Sequence, residues 1–141
     1  MKYRHLSKAK TCNGKWVSGF LHCKENKWYI SNKAGSPFAF EVRPDTICQC
    51  TGLKDKNGKL IWEGDIILFQ RDNDDCPFPD KDTKKRLGKV FYKDFRTTFA
   101  IEMGKSGSGS LNDDLWKYVQ NGNRVEVIGN IFDNPELINE R

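Results

Sequence analysis

Histidine and cysteine side chains are the residues of this sequence best suited to bind a metal ion. His22 is followed by Cys23, and Cys48 is separated from Cys50 by one residue, so these side chains could in principle meet at one zinc ion. The sequence has no Cys-X-X-Cys pair, and its five cysteines are not spaced like a disulfide framework. We therefore expect reduced thiols, often buried as small hydrophobic side chains, and no bound metal or other cofactor.

Acidic residues form two further clusters that could bind a metal ion or transfer protons. Glu63 and Asp65 flank Gly64 directly before an apolar run, where acids commonly accept hydrogen bonds from turn amides. This pattern predicts a structural turn in which an Asp oxygen accepts backbone N–H groups. Residues 72–75, DNDD, offer oxygen ligands for calcium, but the glycine and glutamate of an EF-hand loop do not follow them. We expect a solvated loop there.

The inventory of catalytic groups is small. His5 and His22 are the only imidazoles, and the sequence contains no nucleophile elbow, phosphate-binding loop, metalloprotease helix or dinucleotide fingerprint. A histidine-assisted nucleophile would have to depend on one of these two residues. We expect a protein that is not an enzyme, and a small hydrolase or a metal-binding protein is the least favoured alternative.

Positive charge is concentrated in the first part of the chain, where it alternates with aromatic rings. Residues 1–53 contain nine Lys or Arg and three acidic residues, a net charge of +6, whereas residues 54–141 contain fifteen and sixteen, a net charge of −1. A basic, aromatic surface can neutralise phosphates while its rings stack on bases. The candidate phosphate contacts are Lys2, Arg4, Lys15, Lys24 and Lys27, and the candidate stacking residues are Trp28 and Tyr29.

A structural interpretation of the same rings stays open beside the functional one. Trp16, Phe20, Trp28 and Tyr29 could form a hydrophobic core, which would leave the lysines as an ordinary solvated surface. Strand alternation turns about half of such rings inward. Both interpretations therefore depend on how the strands pair.

Short apolar runs separated by turn residues place these side chains on β-strands. Residues 15–21 and 27–30 predict a hairpin in which Trp16 pairs with Trp28, and Gly19 is a possible bulge. Further along the chain, the turn Asn57-Gly58 precedes a strand at residues 66–69, and a second hairpin is expected around residues 93–94. A short helix is expected within residues 111–119 and a last strand at residues 124–132.

About seven short strands and little helix predict a mainly β fold, a small barrel or roll. We expect two domains, one over residues 1–53 and one over residues 54–141, with flexible loops at residues 70–86 and 104–110. The sequence has no apolar run of about 18 residues and no apolar signal region at residues 1–8. We therefore expect a cytoplasmic protein without a membrane segment.

Three blocks of the sequence resemble the YopX family of small phage and prophage proteins. The blocks are Tyr3-Arg4 with KWVSGF at residues 15–20, QCTGLKDKNGK with IWEGDI at residues 49–66, and VIGNIFDNPEL at residues 127–137. Two features depart from the family pattern. Cys50 replaces the usual aromatic residue, and residues 70–86 are longer than in a typical member.

The resemblance implies a mostly β structure with an SH3-like barrel in the C-terminal part, and it implies no established activity. From it and from the small catalytic inventory, we expect a phage or prophage accessory protein that acts as a non-enzymatic binding module in the bacterial host cell. A protein partner, including further copies of the chain, is slightly favoured because small barrels offer exposed strand edges. Nucleic acid bound through the basic N-terminal residues is the alternative.

Overall fold

A computed structural model describes residues 6–31, 39–70, 85–93, 98–106, 109–120 and 122–139, without side-chain detail at residues 85, 93, 103–106, 109–112 and 139. The mainly β fold is confirmed: the described residues form antiparallel sheets with two short helices. They contain eleven strands instead of about seven. The strands are β1 Ser7–Lys10, β2 Trp16–Lys24, β3 Lys27–Ser31, β4 Ala39–Val42, β5 Cys48–Lys54, β6 Leu60–Trp62, β7 Asp65–Gln70, β8 Lys85–Lys93, β9 Thr98–Ser106, β10 Gly109–Asp114 and β11 Val125–Asn130. The helices are α1 Leu115–Gln120 and α2 Glu136–Asn139.

The chain divides into two compact units, residues 1–52 and residues 53–141. In the first unit the strand order is β4-β3-β2-β1-β5, and in the second it is β10-β9-β8-β7-β11. The second sheet has two edge strands, β10 and β11, in the described part of the chain. It is therefore not closed, and the SH3-like barrel expected there is not confirmed.

Strand β2 joins two pairings in the first unit. Its first residues pair with β1, from Trp16 to Gly19, and its last residues pair with β3. Gly19 has a φ of 155°, and a Cβ at this position would overlap the backbone carbonyl of Ser31. Glycine is therefore required where β2 passes from one neighbour to the other.

The β2–β3 hairpin is confirmed, but the predicted pairing of Trp16 with Trp28 is wrong. Its turn has only two residues, Glu25 and Asn26, with φ values of 53° and 66°. Such a two-residue turn fixes the register of the strands. Trp28 consequently lies opposite Cys23, and Trp16 lies opposite Lys10 on β1.

The first unit is held together around a small core. Ala9, Ile30 and Val42 are buried, and Val17, Leu21, Trp28 and Ile47 pack against them. The end of β4 returns to the end of β1 through one bridge between Val42 and Thr11. Next to this bridge, the backbone N–H of Arg43 donates to the Lys10 carbonyl at 2.8 Å, and the Lys10 N–H donates to Thr46 Oγ1 at 2.8 Å.

The second unit has a larger core. It consists of Ile61, Ile67, Phe69, Val90, Phe99, Ile101, Leu115, Tyr118 and Val125. Phe69 and Tyr118 meet edge to face with ring centroids 5.2 Å apart, which fixes α1 against the sheet. The β8–β9 hairpin predicted around residues 93–94 is confirmed, with Lys93 opposite Thr98.

Two carboxylates organise turns in the second unit. Asp55 Oδ1 accepts the backbone N–H groups of Asn57 and Lys59, both at 2.9 Å, and Oδ2 accepts that of Val127 at 3.0 Å. Asp65 Oδ2 accepts the N–H of Trp62 at 2.8 Å. The prediction that the Asp65 side chain serves a turn is confirmed. Gly64, next to it, has a φ of 88°, a conformation that favours glycine.

Other expected elements are displaced. Residues 104–106 and 109–110 were expected in a flexible loop, but they lie in β9 and β10, because backbone pairing between neighbouring strands outweighs the weak strand propensity of Gly and Ser. The short helix begins at Leu115, since β10 occupies the preceding residues. The acidic cluster at residues 72–75 lies outside the described residues. No helix in the described part of the chain is long and apolar enough to cross a membrane.

Candidate nucleic-acid interface

Strand alternation sorts the side chains of β1, β2 and β3 onto two faces. Val17 and Leu21 on β2 point towards the buried Ala9–Ile30–Val42 cluster, and Trp28 on β3 does the same. Their sequence neighbours must point the opposite way, because successive side chains of a strand alternate. The register confirms this division, since residues that lie opposite each other in an antiparallel pair share a face.

The face turned away from the cluster is called the outward face here. Along β2 it carries Trp16, Phe20, His22 and Lys24, which are separated by even numbers of residues. Lys10 lies opposite Trp16, Tyr29 opposite His22, and Lys27 opposite Lys24. On β1–β3 the outward face comprises Lys8, Lys10, Trp16, Ser18, Phe20, His22, Lys24, Lys27, Tyr29 and Ser31. Glu41 of β4 lies opposite Tyr29 on the same face.

One end of the outward face combines two lysines with an indole. The Nζ atoms of Lys8 and Lys10 lie 4.8 Å and 5.4 Å from the ring centroid of half-buried Trp16. A cation within about 6 Å of an aromatic centroid is attracted by the negative face of the ring. Trp16 therefore holds two ammonium groups close together.

The other end combines two lysines with a pair of stacked rings. His22 and Tyr29 have ring centroids 5.6 Å apart and planes inclined by 18°. Beyond them, Lys24 and Lys27 lie directly opposite each other next to the hairpin turn, and both are exposed. Lys27 Nζ is 3.9 Å from Glu41 on β4, an ion pair with 62% and 43% exposed side chains. Such an exposed pair is weak, so it offsets little of the positive charge.

The structure places the residues predicted as nucleic-acid contacts in different environments. Lys24, Lys27 and Tyr29 lie together on the outward face, whereas Trp28 is half-buried on the opposite side and packs against the core. Lys15 is exposed in the turn before β2. The candidates Lys2 and Arg4 lie outside the described residues. Of the two predicted stacking residues, the geometry thus favours Tyr29.

Five lysine or ring-bearing residues of the outward face were missing from the predicted contacts. Lys8 and Lys10 were not considered, and His22 was considered only for a metal ion or for catalysis. Phe20 was considered only as core, and Trp16 was counted with the basic, aromatic residues but was not chosen as a stacking residue. Alternation along β2 was the signal that could have found them: with Leu21 inward, residues 16, 20, 22 and 24 share one face. Lys8 and Lys10 additionally require the β1–β2 register, which depends on the turn between these strands.

The thiols do not gather at a site in the described part of the chain. Cys12 and Cys23 are exposed, while Cys48 and Cys50 are buried. His22 and Cys23 point to opposite faces of β2 because they are consecutive. No group of three or more His, Cys, Asp or Glu side chains suitable for a metal ion occurs among the described residues.

A small cleft in the second unit contains two further cations. It has a volume of about 200 Å³ and is lined by Lys56, Leu68, Gln70, Gly122, Asn123, Arg124 and Glu126. Arg124 donates to the Gln70 carbonyl at 3.2 Å and lies 4.9 Å from the Tyr118 ring centroid, and Lys56 Nζ is 3.9 Å from Glu126. Arg124 is thus engaged within the unit, whereas the ion pair of Lys56 has the same length as that of Lys27 and differs from it in being less exposed.

A protein-family model described as YopX protein matches residues 1–139. The chain belongs to the YopX family. This confirms the resemblance drawn from the three sequence blocks, which span the same length of chain. A comparison with curated proteins gave no match. Membership in the YopX family leaves the ligand to be inferred from the outward face itself.

Proposed function

We propose that this YopX-family protein is a non-enzymatic binding module that binds nucleic acid on its outward face. The phage or prophage origin implied by the resemblance and the cytoplasmic location expected from the sequence are part of the same proposal. The observation that supports it is the grouping of four lysines with Trp16, Phe20, Tyr29 and His22 on one side of β1–β3. Cations neutralise phosphates and rings contact bases, so this combination suits a nucleic acid.

The opposition of Lys24 and Lys27 adds an energetic reason. Like charges directly opposite each other on neighbouring strands destabilise the pair. Within the described part of the chain, the carboxylate at ion-pair distance from Lys27 is that of Glu41, and that pair is weak. A bound phosphate would relieve the repulsion, and release of its counterions would favour the complex.

The same composition argues against the protein partner that was favoured from the sequence. The cores of protein–protein interfaces are depleted of charged residues, and lysine in particular is rarer there than on the rest of the surface. On β1–β3 the outward face has four lysines among ten residues, and Glu41 of β4 adds one acidic residue to it. Its rings therefore lie among cations instead of forming an apolar patch, which favours an anionic ligand.

Fluorescence anisotropy with labelled DNA over a range of salt concentrations tests the proposal. We expect log K to fall linearly with log salt concentration, because counterions are released on binding. The variant Lys24→Glu/Lys27→Glu should flatten this slope by about 1.5, since each lost phosphate contact removes about 0.7 to 0.9.

The matched control is Lys59→Glu/Arg86→Glu, which makes the same change in net charge at two exposed residues of the second unit. It should keep the wild-type slope if the outward face is the site. The proposal is wrong if folded wild-type protein binds no nucleic acid at low salt, or if the two double variants bind equally.

A further inference from the structure

The ring pair of His22 and Tyr29 is the part of the outward face that distinguishes one form of nucleic acid from another. The rings are nearly parallel, with His22 exposed and Tyr29 half-buried. Because they stack on each other, each ring covers one face of the other, and a base can continue the stack on the outer face of exposed His22. In a duplex the faces of the bases are covered by their neighbours, whereas an unstacked base of a single strand can lie on such a ring face.

Trp16 has a different environment from this ring pair. Two ammonium groups, those of Lys8 and Lys10, lie within 5.4 Å of its ring centroid. Cations at such distances interact with the face on which a base would stack. Trp16 is therefore better suited to hold two lysines at a phosphate position than to stack on a base.

Lysines thus lie on both sides of the ring pair along β2. Lys24 is two residues beyond His22, and Lys27 lies opposite Lys24 on β3. Lys10 lies opposite Trp16, which is six residues before His22. A strand rises about 3.3 Å per residue, so the eight steps from Trp16 to Lys24 span at most about 26 Å. At about 3.4 Å per stacked nucleotide, this length corresponds to about eight nucleotides, and to fewer in an extended strand.

We infer that the ligand is single-stranded nucleic acid lying along β2, with a base on the His22–Tyr29 pair and phosphates at Lys24/Lys27 and at Lys8/Lys10. The inference rests on the proposed function and gives it a substrate class, a direction and a footprint. Stacking gives the preference for single strands, and the two lysine pairs set the length of strand that is contacted. Phosphate contacts alone would bind duplex and single strand with little distinction.

The preference for single strands is tested with labelled oligothymidylates of 4, 6, 8, 12 and 20 nucleotides and a 20-base-pair duplex at one salt concentration. Affinity should rise steeply up to about eight nucleotides and then only in proportion to the number of available registers. Wild-type protein should bind the 20-nucleotide strand more tightly than the duplex. An affinity that keeps rising steeply to 20 nucleotides overturns the predicted footprint.

The stacking residue is tested with Tyr29→Ala and Tyr29→Phe. Removal of the ring should weaken binding of the eight-nucleotide strand by about tenfold or more, because one stacked base contributes that much. Tyr29→Phe keeps the ring and should bind like wild type, which separates stacking from the hydroxyl group. Trp116→Ala, at a 53% exposed ring in the second unit, is the aromatic control and should leave binding unchanged.

Circular dichroism of each variant shows whether loss of binding follows loss of folding. Equal affinity for duplex and single strand, or an equal loss by Tyr29→Ala on both, overturns the single-strand inference while nucleic-acid binding itself stands. If Tyr29→Ala does not fold, Tyr29→Leu provides the same comparison with a side chain that retains packing. Binding of neither ligand by folded wild-type protein overturns the proposed function as well.

Discussion

The outward face of the first unit and the Asp55 turn of the second unit both depend on charged side chains, but they place charge differently. Asp55 is 3% exposed, and its carboxylate accepts three backbone N–H groups of its own unit. Lys24 and Lys27 are exposed next to a turn and lie opposite each other. One charge is satisfied inside the fold, whereas the other two repel each other and face solvent.

This contrast separates charge that stabilises a fold from charge that can recognise a ligand. A buried ion must be paired or hydrogen-bonded because its desolvation is costly, so Asp55 contributes only where its donors are present. Exposed lysines cost little in the free protein and gain energy when a polyanion arrives. Changes at Asp55 should therefore alter stability, and changes on the outward face should alter binding.

The largest expected effect is that of Asp55→Ala. It leaves the N–H groups of Asn57, Lys59 and Val127 without their acceptor. The three hydrogen bonds are only partly buried, so water replaces part of the lost acceptor, and the free energy of unfolding should fall by about 1–3 kcal/mol. Urea denaturation followed by tryptophan fluorescence measures this change.

Asp55→Asn is the graded comparison, because it keeps one oxygen acceptor and should lose less stability than the alanine variant. Asp45→Ala, at an exposed residue of the first unit, should unfold at the wild-type urea concentration. The contrast between the two regions fails if Asp55→Ala is as stable as Asp45→Ala, or if Asp55→Asn lowers nucleic-acid affinity while remaining folded.

An intermediate case is Asp113, a half-buried carboxylate of the second unit. Burial by itself would raise the pKa of Asp113, but hydrogen bonds from Tyr118 Oη at 2.9 Å, Lys117 Nζ at 3.1 Å and the Asp114 N–H, with the charge of Lys117, lower it below 3.8. The ionised form is thus stabilised by folding. Its contribution to stability is fully present above pH 3.8 and is lost as pH falls through the lowered pKa.

Tyr118→Phe tests this pH dependence, because it removes one donor and keeps the buried ring. The pKa of Asp113 should rise towards its ordinary value, and the variant should be less stable than wild type above pH 3.8. The difference in stability between wild type and Tyr118→Phe should shrink as pH falls below that value. Urea denaturation at a series of pH values on both sides of it measures this difference. A difference that is constant with pH would instead assign the effect to packing, and Tyr92→Phe is the control for loss of a hydroxyl.

The sequence predictions are correct where a structure depends on residues close in sequence, and they fail where it depends on partners distant in sequence. The Asp65 turn and the β2–β3 and β8–β9 hairpins depend on residues close in sequence, and the structure confirms them. The predicted pairing of Trp16 with Trp28 was wrong because it depended on the strand register, which the two-residue turn sets. A shift of one residue in that register turns a side chain to the other face. Residues 109–110 pair as strand although their types favour a loop, because β9 supplies their partners.

The candidate site was predictable only in part for the same reason. Lys24, Lys27 and Tyr29 are close in sequence, so a local concentration of cations and rings revealed them. Lys8 and Lys10 join the site through a strand pairing, and no local pattern places them over Trp16. For Trp28 the sequence left both a ligand contact and a core position open, because composition does not record which face a ring occupies.

The smallest expected effect is that of Glu41→Gln at the border of the outward face. Glu41 Oε1 is 3.9 Å from Lys27 Nζ, and both side chains are largely exposed. Removing this carboxylate should raise affinity for a single strand by no more than about twofold, because exposed pairs interact weakly and are screened by salt. Stability should not change measurably, since amide and carboxylate have nearly the same shape. Anisotropy titrations of Glu41→Gln and Glu126→Gln, the corresponding change beside Lys56 in the second unit, measure the difference. A gain in affinity for Glu41→Gln alone places the ligand at Lys27. Equal gains for both variants would instead show that affinity depends on the net charge of the protein and not on the outward face.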